Sequence, residues 1–219
     1  MRDFKFLPLL IIGAGLAPSV FAESVQLSPT TVQAEQLSDP TAPTQAEVRA
    51  DFAKIPGGAG LVDSESYKTG RSSTPQDTLG LATGVFVQPR FGAEESRLSI
   101  RGSGLNRTYH GRGLLLMQDG APINLADGSF DFQTLEPLAT DHIEVLRGAN
   151  AWRYGNASLG GAINFASPTG RSAPPLDLRA EAGSFGYQRI AGAVAEDFGN
   201  ADGYLSASEF GQDGFREHA

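Results

Sequence analysis

The residues with most chemical character lie between Leu98 and Asn124, in the stretch LSIRGSGLNRTYHGRGLLLMQDGAPIN. Glycine and arginine at this density can cradle a phosphate. A dinucleotide fingerprint needs glycine at its first, third and sixth places, between a strand and a helix. Gly102 and Gly104 fill the first two, but the sixth place is Arg107, and a strand-like run follows where a helix N-terminus should receive the pyrophosphate. No Gly-Lys-Ser/Thr occurs, which excludes a P-loop, and Ser103 does not sit in the G-x-S-x-G of a nucleophile elbow. His110, His142 and His218 are far apart, and no HExxH is present. Asp127, Asp131, Glu136 and Asp141 follow no calcium-loop spacing and read as a solvated acidic stretch. No catalytic residue, metal ligand or cofactor is expected, and the chain is not read as an enzyme. What remains is a strand, Leu98 to Arg101, running into a long loop and returning as a buried strand over 113–118. Asn106, Arg107, Tyr109 and His110 then stand at a loop tip, where they suit a polar or anionic ligand.

Composition narrows the setting. The 219 residues carry 27 glycines, no cysteine and a formal net charge of −8. A disulfide scaffold and a thiolate zinc site are excluded, and the acidic balance argues against a nucleic-acid partner. Basic Arg2 and Lys5, the apolar run Phe6 to Leu16 and the small-residue site ending at Ala22 read as a secretory signal peptide over 1–22. Residues 23–60 are rich in Gln, Ser, Thr, Pro and Ala and are expected to be flexible. Within them Val25 to Glu35 alternates apolar and polar residues and could add as a strand to another protein's sheet edge.

Elements begin after the Pro-Gly-Gly breaker at 56–58. A short helix is expected from Ser73 or Thr74 as N-cap, with Pro75 first, ending near Gly84. Val85 to Val87 reads as a strand stopped by Pro89. Strands follow at 97–100 and 113–118. Asp119-Gly120 is a turn with a short return strand, and 134–139 suits one helical turn. Further strands follow at 141–148, with Ile143 and Val145 on one face, and at 160–167. After Pro174-Pro175 the pattern changes. Leu176, Leu178, Ala180 and Ala182 fall on one face, with Asp177, Arg179 and Glu181 on the other. Two weaker alternating segments follow, the first with Ile190, Val194 and Phe198 opposite Tyr187, Arg189 and Asp197. The pattern fits either membrane β-barrel strands or a soluble sheet with one wet face.

The ordered set Ile100-Arg101-Gly102, Asp119-Gly120, IEVLRG at 143–148, Tyr154-Gly155 and GGAIN at 160–164 resembles the plug domain of TonB-dependent outer-membrane receptors. The resemblance implies an α+β fold: a small mixed-sheet plug with short helices and long Gly-rich loops over 61–170. Over 171–219 it implies the first two or three antiparallel strands of an incomplete transmembrane β-barrel. In this family a plug fills a barrel of about 22 strands, and uptake of ferric siderophores, cobalamin or other scarce nutrients is driven through TonB. The segment 28–34 stands where a TonB box is expected, which assigns TonB coupling to Pro29, Thr30, Thr31, Val32 and Gln33. The family's outward plug loops correspond to Pro89–Glu95, Ser103–Arg112 and Asn124–Asp131. These imply ligand contacts at Arg90, Phe91, Asn106, Arg107, Tyr109, His110, Asp127 and Phe130. Arg101 and Arg147 resemble plug arginines that meet barrel-wall carboxylates. The partners expected are TonB, a ferric chelate or similar nutrient, and the outer membrane. Residues 176–219 leave room for about three spanning strands at roughly 9–11 residues each, so the chain reads as a fragment, a truncated product or half of a split receptor.

Overall fold

A computed structural model describes residues 42–91, 95–105 and 111–213. Its first body is a mixed five-stranded sheet. In chain order the strands are β1 (Ala59–Asp63), β4 (Leu114–Gln118), β5 (Ala121–Pro122), β6 (His142–Arg147) and β7 (Gly161–Ala166), arranged β1-β6-β7-β4-β5. Strands β4 and β7 run parallel and the other pairs antiparallel. The hairpin β2 (Val85–Phe91) and β3 (Glu95–Ile100) packs over one face.

The continuous apolar text of β4 reflects burial on both faces. Leu114 and Leu116 join Ile143, Val145, Ile163 and Phe165 in one core with Val87, Leu98 and Ile100 of the hairpin. Leu115 and Met117 point the other way, to Leu146, Ala151 and Ala162. The turn after β4 has positive φ at both Asp119 (52°) and Gly120 (77°), the backbone a two-residue hairpin favours.

Two readings from sequence are corrected. The stretch 23–60 is not flexible throughout, since helix α1 (Gln45–Ala53) occupies part of it. Thr44 and Glu47 form a reciprocal capping box, with Thr44 N–H donating to the Glu47 carboxylate at 2.7 Å. Val48 is buried, and Phe52 and Ile55 cover the second core face. An apolar residue every turn is enough to dock an otherwise polar helix. The other correction is at Pro89, which does not end β2. The strand continues to Phe91 through a register shift, because both strands of a two-stranded ribbon are edges and a bulge tolerates a missing N–H. Two short helices, α2 (Glu65–Lys68) and α3 (Pro75–Leu79), complete this body; α3 starts at Thr74 as expected but stops earlier, at Leu79.

Three antiparallel strands follow: β8 (Leu176–Ala182), β9 (Gln188–Asp197) and β10 (Asp202–Gly211), with β9 central. The register aligns Leu176, Val194 and Leu205 on one face. The α+β expectation, a mixed sheet followed by antiparallel strands, is met. No helix among the described residues is long and apolar enough to cross a membrane, which leaves open a crossing by strands.

Candidate functional site

The sheet register brings Leu114, Gly161, Arg147 and Ala59 abreast on one rim of the mixed sheet. From this rim leave the segments after Ile100, before Leu114 and after Arg147. Asn124 ties the fourth segment to it: its amide accepts from Leu116 N–H at 2.8 Å and donates to the carbonyls of Leu114 (3.0 Å) and Gly128 (3.2 Å). The described parts of two of the three loops expected to face a ligand, 103–105 with 111–112 and 124–131, therefore share one end of the fold. Arg112 joins them by donating to the Asp127 carbonyl at 2.9 Å.

Within this end, Asp127 accepts from Ser129 N–H at 2.9 Å and from its hydroxyl at 2.6 Å, which holds its carboxyl below the usual range. Phe130 is half-buried; its ring stacks edge-on against Phe132 at 5.3 Å and fills the space a side chain at Gly111 would need. Its first role is packing. Arg90 pairs with Glu95 at 3.1 Å across the hairpin tip, and Phe91 ends β2. Asn106, Arg107, Tyr109 and His110 lie outside the described residues, as do residues 1–22 and Pro29, Thr30, Thr31, Val32 and Gln33.

Arg101 and Arg147 both turn onto their own body. Arg147 donates to the Thr83 carbonyl, and the Arg101 guanidinium lies over Gly148, where a Cβ would collide with it. No carboxylate among the described residues pairs with either. The four acidic residues considered as a cage are dispersed onto separate partners. Asp127 holds Ser129, Asp131 caps Gln133, Glu136 caps Leu138 and Asp141 holds His142. Among the described residues no group of three potential ligands could hold a metal.

At the opposite rim, His142 is almost fully buried, with Nδ1 2.8 Å from Asp141 and Nε2 3.6 Å from Glu144. Burial alone would push its pKa down; the Asp141 hydrogen bond and the charges of the two carboxylates outweigh that and carry it to about 9. A folded-state pKa raised above the unfolded value stabilises the fold fully below the unfolded pKa. That stability is lost as pH rises through the folded one. Urea unfolding from pH 6 to 10 is therefore expected to show a loss approaching ~3 kcal/mol, concentrated between the unfolded pKa and about 9. His142→Gln should flatten that segment of the profile.

The contact that sequence reading missed joins the two sheets. Arg189 of β9, 5% exposed, donates to the Ser72 carbonyl at 2.8 Å and pairs with Glu136. Ser208 of β10 donates to the same carboxylate, and Arg179 of β8 donates to the Gly70 carbonyl at 2.9 Å. The signal available in sequence was an arginine on the face that β9 fills with Ala191, Ala193, Ala195 and, at its end, Asp197.

A family model described as TonB-dependent Receptor Plug Domain matches residues 51–162. The chain belongs to this family. The plug thus comprises the mixed sheet, its hairpin and its rim, and its family is one of receptors rather than enzymes. The vitamin B12 transporter BtuB of Photobacterium profundum is 32% identical over 157 residues, 71% of this chain and 25% of that protein. The rhizobactin receptor of Rhizobium meliloti is 33% identical over 159 residues, 67% of this chain and 20% of the receptor. The structure of P. aeruginosa FpvA bound to a heterologous pyoverdine shares the fold, with a TM-score of 0.55 at 22% identity over 73% of this chain and 21% of FpvA. The chain spans about a quarter or less of the length of these relatives.

Proposed function

We propose that this chain is the plug and the first wall strands of an outer-membrane receptor that imports a scarce nutrient through a TonB-coupled step. The observation that carries the reading is a two-faced sheet seated on a plug. Its inner face sets Arg179, Arg189 and Ser208 against the plug, while Leu178, Ile190 and Leu205 on the outer face are 74%, 70% and 70% exposed. A row of exposed branched apolar side chains behind a polar inner face suits lipid contact. Residues 1–22 export the chain, Pro29 to Gln33 pair with TonB, and Arg101 and Arg147 meet carboxylates on the rest of the wall.

The ligand class we assign is a ferric siderophore or similar anionic chelate, held by Arg90, Phe91, Asn106, Arg107, Tyr109 and His110, with Asp127 and Phe130 shaping the floor. Relatives include a vitamin B12 transporter and a rhizobactin receptor, so cobalamin is the alternative cargo to test. The test is growth of a receptor-null strain carrying a receptor with these residues, on ferric siderophores, haem or cobalamin. Rescue by a ferric siderophore supports the assignment. Rescue by cobalamin alone overturns the ligand class, and rescue by none overturns the import reading. Arg90→Ala should weaken binding of the rescuing chelate about tenfold, the worth of one charge-assisted hydrogen bond, as read by titration of purified receptor.

A further inference from the structure

We propose that Glu136 is a latch that seats the first three antiparallel strands on the plug, with Arg189 and Ser208 as its counterparts. The inference rests on contacts within this chain and needs neither ligand nor transport. Glu136 stands at the N-cap of the 3-10 turn Pro137–Ala139, where Oε1 accepts from Leu138 N–H at 3.0 Å. The same carboxylate receives Arg189 from β9 and Ser208 from β10. One side chain therefore orders a plug turn and ties it to two strands. The turn is itself fixed to the plug: Tyr67 donates to the Pro137 carbonyl at 3.1 Å, and Thr140 donates to the Glu136 carbonyl at 3.2 Å.

The surroundings show why this pair, rather than packing, should hold the seat. The inner face of the strands meets this region with Ala191, Ala193, Tyr204, Ser206 and Ser208, leaving a small cavity of about 30 Å³ against Glu136, Leu138 and Ala139. A second gap of about 120 Å³ opens between Ser72, Phe132, Glu136, Arg189 and Phe210. An interface with gaps on both sides of its ion pair gains little from dispersion, so the charge-assisted bonds dominate. Arg189 is the buried member, its guanidinium 5.8 Å from the Phe210 ring centre. Removing either partner of a buried pair strands the other's charge. The polarity is the reverse of that expected for Arg101 and Arg147: the carboxylate is on the plug and the guanidinium on the strands.

The chain has no cysteine, so an introduced thiol is a background-free reporter. Ser72 is fully buried beneath this contact and its hydroxyl has no hydrogen-bond partner, so Ser72→Cys removes no bond. The experiment measures thiol labelling of Ser72→Cys in the whole chain, alone and with Glu136→Gln, Arg189→Met or both. Glu136→Gln keeps an acceptor for Leu138 N–H, and Arg189→Met keeps the stem. Each is expected to speed labelling by about tenfold or more, and the double variant no further than the faster single, because paired residues are not additive. Ala162→Cys, in the second plug core, should label at an unchanged slow rate in every background. Unchanged labelling at position 72 overturns the latch. So do additive effects in the double variant, or an equal rise at position 162, which would mean general unfolding.

Discussion

Replacing Gly104 with alanine is expected to destabilise the plug by about 3 kcal/mol or more, one of the largest single-site losses in the chain. Gly104 has φ +94°, where an L side chain is strained. Space is absent as well: a Cβ there would run into the Leu98 carbonyl oxygen and come within 2.7 Å of Leu114 Cδ1. The carbonyl belongs to β3 and cannot rotate away without breaking its strand, and Leu114 is 1% exposed. Gly120 supplies the control. Its φ is +77°, but a Cβ would meet nothing within 4 Å. Gly120→Ala should therefore carry the backbone strain alone, about 1–2 kcal/mol. Urea unfolding of the two variants beside the parent isolates the steric part; equal midpoints would show that Gly104 is needed for conformation and not for close approach. Of the glycines that first suggest a phosphate cradle, Gly104 and Gly111 are thus explained by close approach of other segments, and Gly102 by its φ of +86° alone.

That shift from phosphate loop to plug strand marks how far the sequence could be read. Strands β4 and β6 were legible because their apolar residues are consecutive or alternate, and the Asp119-Gly120 turn because few residues accept positive φ in tandem. The capping box of α1 was present in the text as Thr44-Gln45-Ala46-Glu47, but a helix docked by only Val48, Phe52 and Ile55 sits below the level that composition detects. The candidate site was legible as loops and not as contacts. Glu136 and Arg189 are 53 residues apart, and nothing in either neighbourhood names the other. Arg101 and Arg147 show the converse problem. An arginine's type announces a charged partner, yet here Arg147 donates to a backbone carbonyl and Arg101 lies over Gly148, and neither contact leaves a trace in sequence.

Leucine to alanine at position 116 is expected to cost about 2–5 kcal/mol, and the contrast with Leu178 tests what surrounds each sheet. Leu116 is 0% exposed, packed from the centre of β4 into the core shared by Ile143, Ile163 and the β2–β3 hairpin. Rigid strands on both sides keep the site from collapsing, so the loss should include a cavity term and stand near the upper end of the range. Leu178 is 74% exposed, and the positions aligned with it on the neighbouring strands are Gly192 and Ala207. Unfolding of the isolated chain by urea should change by less than about 0.5 kcal/mol on Leu178→Ala, as for any exposed site. If the outer face meets lipid, Leu178→Arg in a receptor with a complete wall should cost about 2–4 kcal/mol near the bilayer midplane. Its level in the outer membrane should then fall. Asp177→Arg places the same charge on the inner face of the same strand and should leave that level near the parent's. Equal loss from both would argue that the sheet has no lipid face; no loss from either would place these strands in water. The pair of leucines thus separates the solvent of the plug core from the solvent of the wall using one residue type and one chain.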